Sequence, residues 1–428
     1  MDTIFALATA TGKAGVSVIR VSGPDALMVA AKMGAHLSDH DRKLTRLVAQ
    51  DGTLIDEAFS LSFAPGRSFT GEQVVEFQTH GSPAIVSAVL GELQAYGLRM
   101  AEPGEFTRRA MESGTLDLAQ VEGLADLIDA ETEGQRRQAL RVFQGDLGGL
   151  VDGWRTKLIR AAALLEATID FVDEDVPVDV YPEVSQLLNS VLVEIQKEAD
   201  GVSIRERIRD GFEVALVGPP NAGKSTLLNK LAGRDAAMTS DIAGTTRDVI
   251  EVKLDLNGLP VTILDTAGLR TGADTLEEMG IERGQKRASL ADIRVHLSPS
   301  GEFDAVQQTE GLDLFVQSKS DHGTKGGALS VSSVTGEGID ELLDKIISHL
   351  AGQMAHAGVA TRQRHKVALQ ASHAMLRRTV ASLEDDNLPV DLISEDLRQA
   401  IRRLDSLIGR IDVENLLDEI FSSFCIGK

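Results

Sequence analysis

The run Gly218-Pro219-Pro220-Asn221-Ala222-Gly223-Lys224-Ser225 matches G-x-x-x-x-G-K-[ST], a spacing that suits phosphate binding. Glycines let the backbone wrap a polyphosphate while its amides and the N-terminus of a following helix face the negative charge. In such a loop Asn221, Ala222, Gly223, Lys224, Ser225 and Thr226 would line the phosphates. Lys224 would reach the β- and γ-phosphates and Ser225 would bind Mg²⁺. Asp265-Thr266-Ala267-Gly268 follows downstream; its carboxylate can hold Mg²⁺ through water and the Gly268 amide can meet the γ-phosphate. Between the two lies Gly244-Thr245-Thr246-Arg247-Asp248, where Thr246 is placed to complete the Mg²⁺ shell. Ser318-Lys319-Ser320-Asp321 stands where a guanine-reading Asn-Lys-x-Asp element belongs, with Asp321 accepting the N1 and N2 protons of the base. Ser332-Ser333 then offers loop amides toward the base oxygen. Each later motif alone is a weak signal. Their order and domain-sized spacing make the set a guanine-nucleotide site.

The elements that must position these loops are legible around them. Phe212-Glu213-Val214-Ala215-Leu216-Val217 reads as a strand before the loop, and Thr226 to Leu231 as a helix after it. Val261-Thr262-Ile263-Leu264 reads as the strand that ends on Asp265. Val16 to Val21 and Val74 to Gln78 also read as strands, and Ala84 to Tyr96 has helical apolar spacing. From Leu116 the pattern turns helical. Leu116, Ala119, Val121, Leu124, Leu127 and Ile128 recur at helical intervals, and similar spacing continues to about Arg209. Helical patterning resumes from Arg364 to Phe424. The expected fold is therefore multidomain α/β plus α. It has an α/β N-terminal domain (1–115), a helical domain in two parts (116–210 and 354–428), and a P-loop, Ras-like domain (211–353) inserted between them. Insertion is physically easy because the termini of compact domains often lie close together.

Composition narrows the classes. The chain has 428 residues with 43% hydrophobic but only 4% aromatic content, so aliphatic side chains carry the packing. One cysteine, Cys425, excludes an internal disulfide framework and suits a reducing cytosol. The N-terminus lacks the pattern of a signal peptide, and the best apolar stretch, 161–172, is interrupted by Glu166 and Asp170 and too short to span a membrane. A net charge of −22 opposes indiscriminate nucleic-acid binding, so RNA contact requires local basic patches or a partner's surface. The cluster Arg362, Arg364, His365 and Lys366 reads first as a solvated helix start and second as an RNA contact.

The chain resembles the tRNA modification GTPase family known as MnmE or TrmE over nearly its full length. The residues that carry the resemblance are Ile19-Arg20-Val21-Ser22-Gly23, Phe69-Thr70-Gly71-Glu72, Glu102 to Ala110, Leu116 to Gln120, Ala125 to Ala130, and Phe424-Cys425-Ile426-Gly427-Lys428. The resemblance implies a cytoplasmic homodimer that works with an FAD-dependent partner of the MnmG or GidA type on tRNA. The pair would add an aminomethyl-type group to C5 of the wobble uridine, using a one-carbon unit from a tetrahydrofolate derivative in its 5-formyl or methylene form. Folate would bind the N-terminal domain, which would also mediate dimerisation, through Arg20, Glu76 and Lys428. At Thr115 the family commonly has a lysine.

Leu269 follows the Asp-x-x-Gly motif where signalling GTPases place a water-orienting glutamine. The resemblance implies K⁺ at the phosphates instead, bound by Asn221, Ser240, Ile242 and Thr245, within a nucleotide-contacting loop that also includes Asp241, Ala243 and Gly244. It implies Glu277 as the group that positions water. Cys425 reads either as a nucleophilic thiol or as a small packed side chain, and the family motif favours a functional role. Ser318 departs from the family's asparagine, and Gln73 is a milder departure. Ile293-Arg294-Val295-His296-Leu297 is unusually polar for an inner strand, and Ser298 to Leu312 leaves little room for a full helix. Two rival readings are a GTP-dependent ribosome-assembly factor and a scaffold with an impaired nucleotide domain.

Overall fold

In a computed structural model the described residues are 2–170, 179–234, 238, 250–265, 286–303, 311–323, 329–354, 358–383, 390–411, 420, 421, 424 and 427. They divide into two compact units, one comprising residues 1–125 with 405–428 and the other 126–404.

The first unit is built on a six-stranded sheet in the order β3-β4-β5-β2-β1-β6. Its strands are β1 (Ile4–Leu7), β2 (Ala14–Ser22), β3 (Arg42–Val48), β4 (Leu54–Phe63), β5 (Val74–Gly81) and β6 (Arg99–Met100). Alternation of apolar and polar residues decides which face is buried. One face carries Phe5, Ile19, Val21, Ala58, Val75 and Phe77 into a core with helices α1 (Ala26–Lys32) and α2 (Pro83–Ala95). The central pairing of β2 with β5 is antiparallel and sets Arg20 directly opposite Glu76. Helix α3 (Glu105–Glu112) buries Phe106 against Ile4, Ala6 and Ala101. Helix α4 (Leu118–Ile128) follows, and the division between the units falls within it.

The C-terminal segment returns to the same unit. Phe421 packs so closely on Gly104 that a Cβ at Gly104 would press into its ring and carbonyl. The Arg108 guanidinium lies over the Phe421 ring, 5.1 Å from its centroid. Gly427, at φ 101°, lies against the Leu7 carbonyl, where a side chain would collide.

The second unit holds the inserted sheet, six strands in the order β12-β11-β10-β7-β9-β8. These are β7 (Phe212–Val217), β8 (Ile250–Leu256), β9 (Leu259–Asp265), β10 (Ile293–Ser298), β11 (Leu312–Ser318) and β12 (Leu329–Val331). All neighbours run parallel except β8 with β9, an order typical of Ras-like nucleotide domains. Helices α8 (Lys224–Ala232) and α9 (Ile339–Met354) pack Leu227, Leu228, Leu231, Leu342 and Ile346 onto one face.

The polar strand β10 is an inner strand after all, paired with β7 on one side and β11 on the other. Ile293, Val295 and Leu297 enter the core, while Arg294 and His296 alternate to the other face. The parallel register places Arg294 opposite Asp313. The Arg294 Nε donates to Asp313 Oδ1 at 2.8 Å and Nη2 to Oδ2 at 3.0 Å, and His296 Nε2 lies 2.7 Å from Oδ1. The Arg294 guanidinium, then the His296 ring, hold the Asp313 carboxyl below its ordinary pKa. The His296 ring stacks on Phe315, which meets Phe303 edge-on.

The helices of this unit are α5 (Glu133–Phe143), α6 (Asp146–Asp170), α7 (Tyr181–Asp210), α10 (Gln363–Leu383) and α11 (Val390–Asp405); α5 and α7 touch β9, and α6 and α10 pack on α7. Helix α5 begins with a reciprocal capping box between Thr132 and Gln135. Its Gly134 N–H donates to the Gly258 carbonyl in the β8–β9 turn at 3.0 Å. Helix α7 buries Val184, Leu188, Val191, Leu192 and Ile195 at helical spacing. Further along, a buried ion pair forms where the chain leaves the nucleotide domain. Arg205 is fully buried and donates to Glu198 Oε2 at 2.9 Å and to the Ala360 carbonyl at 2.6 Å. The same Glu198 oxygen accepts the Val359 and Ala360 amides. His365, expected in solvent, is fully buried; its Nδ1 accepts the Thr361 and Arg362 amides and so caps α10. Arg362 pairs with Asp126 at 2.6 Å, and Lys366 donates to Ser203.

Candidate functional site

The phosphate-type loop leaves the C-terminal end of β7 through Gly218. Its φ is 152°, and a Cβ there would collide with the Leu297 carbonyl of β10, so glycine is required. Asn221 adopts φ 61°, a left-handed conformation that asparagine tolerates well. Gly223 caps α8 with φ 97°. Lys224 is buried at the helix start, and its Nζ donates to the carbonyls of Gly218 at 2.6 Å and Pro219 at 3.0 Å. Its charge thus lies across the loop, at the amino end of α8, where an anion is favoured. Ala222 is buried, whereas Asn221, Ser225 and Thr226 are exposed.

The Ser225 hydroxyl donates to Asp265 Oδ2 at 2.6 Å, and Asp265 is fully buried at the end of β9. Two strands and one helix therefore bring together the two oxygen donors that the sequence separates by forty positions. A hydroxyl and a carboxylate are hard ligands that suit Mg²⁺. The other expected phosphate and ion contacts, Ser240, Asp241, Ile242, Ala243, Gly244, Thr245, Thr246, Thr266, Ala267 and Gly268, lie outside the described residues, as do Glu277, Cys425 and Lys428.

At the far side of the loop, Ser318 ends β11 with its Oγ buried and without a hydrogen-bond partner among the described residues. A Cβ on Gly223 would stand 4.0 Å from the Ser318 Cβ, so this residue backs directly onto the phosphate-type loop. Lys319 turns the chain at φ 57° into a short 3₁₀ turn, Ser320–His322. Asp321 Oδ1 accepts the Ser332 hydroxyl at 2.7 Å, and this bond holds the Asp321 carboxyl below its usual pKa. Ser332 is itself fixed, its amide donating to the Glu337 carbonyl, while Ser333 lies in the turn that follows. Lys224, Ser225, Asp265, Ser318, Asp321 and Ser332 thus lie at or just beyond the carboxyl ends of strands of one sheet, where ligands bind in open α/β sheets.

A second cluster lies in the first unit. Arg20 Nε donates to Glu76 Oε1 at 2.8 Å, and both side chains keep partial exposure. The Arg20 guanidinium stands 5.5 Å from the Phe69 ring centroid and 5.6 Å from that of Phe106. Thr115 bonds Ser113 at 2.9 Å, and a Cβ on Gly71 would press on both hydroxyls. Behind them Glu72 accepts from Ser22 at 2.7 Å and from the nearly buried Arg109, which also binds Glu105 and Asp2. Burial acts to lower the Arg109 pKa, but the carboxylates of Glu105 and Glu72 outweigh it and leave it raised. Sequence reasoning assigned no role to Phe69, Phe106, Glu72 or Arg109; the only signal was their place in the Phe-Thr-Gly-Glu and Glu-Phe-Thr-Arg-Arg motifs. Gly427 lies beside Leu7, one residue from the Ala6 that pairs with Arg20. Among the described residues no group of histidine, cysteine and carboxylate side chains forms a metal cluster, and no helix is long and apolar enough to cross a membrane.

Family models match most of the chain: the GTP-binding protein TrmE N-terminus over residues 3–115 and the MnmE helical domain over residues 118–425. The chain is 57% identical over 430 residues to a tRNA modification GTPase MnmE of Ruegeria sp. (strain TM1040), covering 100% of each. It is 48% identical over 430 residues to the protein of that name from Paracoccus denitrificans (strain Pd 1222), again covering 100% of each. A crystal structure of Era from Aquifex aeolicus is 24% identical over 32% of this chain and 56% of that one, with a TM-score of 0.26.

Proposed function

The chain belongs to the MnmE family of tRNA modification GTPases, and from that premise we propose that it hydrolyses GTP to drive modification of the tRNA wobble uridine. The Ser225–Asp265 contact beneath Lys224 is the observation that carries the hydrolase reading. It puts two hard oxygen donors and a buried ammonium at one helix N-terminus. Lys224 would exchange its carbonyl partners for phosphate oxygens, and Ser225, Asp265 and Thr246 are the residues that would hold Mg²⁺. Bound Mg²⁺ neutralises charge that develops on the phosphates. Asp321, kept ionised by Ser332, accepts the N–H groups of guanine.

With Leu269 unable to orient water, Glu277 would take that task, and a bound K⁺ would supply the positive charge that an arginine finger brings elsewhere. Asn221 presents an exposed amide for K⁺, with Ser240, Ile242 and Thr245 as the remaining ligands. In the first unit, Arg20 and Glu76, flanked by Phe69 and Phe106, suit a flat heterocycle with hydrogen-bond donors and a carboxylate tail. That chemistry fits a tetrahydrofolate derivative, with Lys428 adding a cation from the terminus. Homodimerisation, an FAD-dependent MnmG-type partner and a cytoplasmic setting complete the proposal. The exposed Leu44 and Phe59, paired on neighbouring strands of the same sheet, support an additional contact surface there.

The test is twofold. Purified protein should turn over GTP, and wobble nucleosides from cells lacking it should lose the aminomethyl-type mass. Absence of turnover would favour the scaffold reading, which Ser318 in place of asparagine and the short segment 298–312 motivate. Unchanged wobble nucleosides would remove the tRNA assignment.

A further inference from the structure

Gln317 ends β11 one residue before the element that carries Asp321, and its side chain is almost wholly buried. Its Nε2 donates to two loops at once, to the Pro299 carbonyl at 3.4 Å and to the Gly323 carbonyl at 3.1 Å. Pro299 opens the connection between β10 and β11. Gly323, at φ 117°, closes the 3₁₀ turn Ser320–His322. Gly301 lies against the same amide: a Cβ there would stand 3.5 Å from both Cδ and Oε1 of Gln317. One buried side chain therefore fixes the exit of the turn and the neighbouring connection together.

We propose that Gln317 is a positioning residue for guanine recognition, holding the turn that aims Asp321 at the base. The proposal rests on the reading of Asp321 as the guanine acceptor. The turn enters through Lys319 in the left-handed region and leaves through a glycine, so its two ends set the direction of Asp321. At its entry the Ser318 hydroxyl makes no hydrogen bond among the described residues. Ser332 steadies one Asp321 oxygen from the side. The Gly323 carbonyl is held from below by Gln317. Gly323 is itself exposed, so without the Gln317 donor its carbonyl turns to water and the turn loses its tie to the buried strand end. Guanine offers Asp321 two N–H groups, which require both carboxylate oxygens in place. Hypoxanthine offers one. A misdirected carboxylate therefore weakens guanine more than hypoxanthine, and the ratio of the two affinities reports orientation.

The experiment uses the full chain and calorimetric titration with GDP and IDP. Gln317→Met keeps length and volume but has no donor. Its GDP-to-IDP preference should fall about three- to tenfold, part of the worth of one charge-assisted hydrogen bond, because the carboxylate is misdirected rather than removed. Equal weakening of both nucleotides, or no weakening, would overturn the proposal. Gln317→Glu supplies a second route if the first variant does not fold. At pH 8 its carboxylate cannot donate and faces two carbonyl oxygens; at pH 5.5 burial among those carbonyls favours the protonated acid, which can donate. Asp321 stays ionised there because Ser332 holds its pKa down. The preference of Gln317→Glu, normalised to wild type, should recover on acidification, and a flat profile would count against the role. A wild-type protein that binds GDP no better than IDP would instead sink the guanine reading on which the proposal stands.

Discussion

Replacing Ser318 with asparagine should tighten guanine-nucleotide binding. Among the described residues the buried Ser318 Oγ has no partner, and the Cβ position of Gly223 in the phosphate-type loop lies 4.0 Å from the Ser318 Cβ. A longer side chain therefore has both a reason and a direction to extend. An asparagine amide carries donors and an acceptor on one more bond, so it can meet the base and tie the turn to the phosphate-type loop. Serine is too short for both. The existing orphaned hydroxyl already carries a desolvation cost, which the amide removes by pairing. One recovered net hydrogen bond plus loop tethering gives on the order of 1 kcal/mol, several-fold in Kd. Calorimetry with GDP and a non-hydrolysable GTP analogue reads this directly. Adenine nucleotides should gain nothing, because Asp321 still repels a base that lacks the N1 proton. Equal affinity in wild type and Ser318→Asn would refute the reasoning and mean that another group already supplies the missing contact.

Hydrolysis should be stimulated by K⁺ and poorly by Na⁺, and Asn221→Ala should remove the stimulation while sparing much of the nucleotide binding; equal rates in the two salts would exclude the ion-assisted route. Loss of Arg20 and Glu76 together should abolish binding of 5-formyltetrahydrofolate, deletion of residues 425–428 should weaken it while leaving GTP turnover nearly intact, and Thr115→Lys should tighten it modestly; titration that survives the double substitution would move the folate site elsewhere. Glu198→Ala should destabilise the second unit by about 3–5 kcal/mol, because it strands the buried Arg205 charge and frees the Val359 and Ala360 amides. Adding Arg205→Met should restore part of that loss, and urea denaturation distinguishes the two variants.

The phosphate-type loop was legible because its chemistry is local. A glycine that must adopt positive φ, a lysine and a serine at fixed offsets are written within eight positions. The Arg20–Glu76 pair was not legible from spacing, since 56 positions separate the two residues. Only the β2–β5 register places them together, and the resemblance to a family stood in for that register. Phe69 and Phe106 come from a loop and a helix on either side of the same pair, so no periodicity links them. His365 was misplaced because a polar residue at a helix start usually faces water. Here its ring nitrogen reaches back from the first turn to accept the amides of Thr361 and Arg362, the two residues just before the helix.

The polar strand β10 carries the same lesson into the nucleotide domain. Arg294 and His296 looked unfit for an inner position because burial of an unpaired charge is costly. That cost belongs to a single side chain, whereas the strand is judged with its neighbour. Parallel register sets Asp313 opposite Arg294, and one carboxylate then accepts the guanidinium through both oxygens and the imidazole through one. The trio is mutually satisfied, so polarity on this face does not argue for a failing sheet. It leaves Ile293, Val295 and Leu297 free to build the other face, which backs the phosphate-type loop through the Leu297 carbonyl at Gly218. A strand that appeared to weaken the nucleotide domain is the one against which its central loop is shaped.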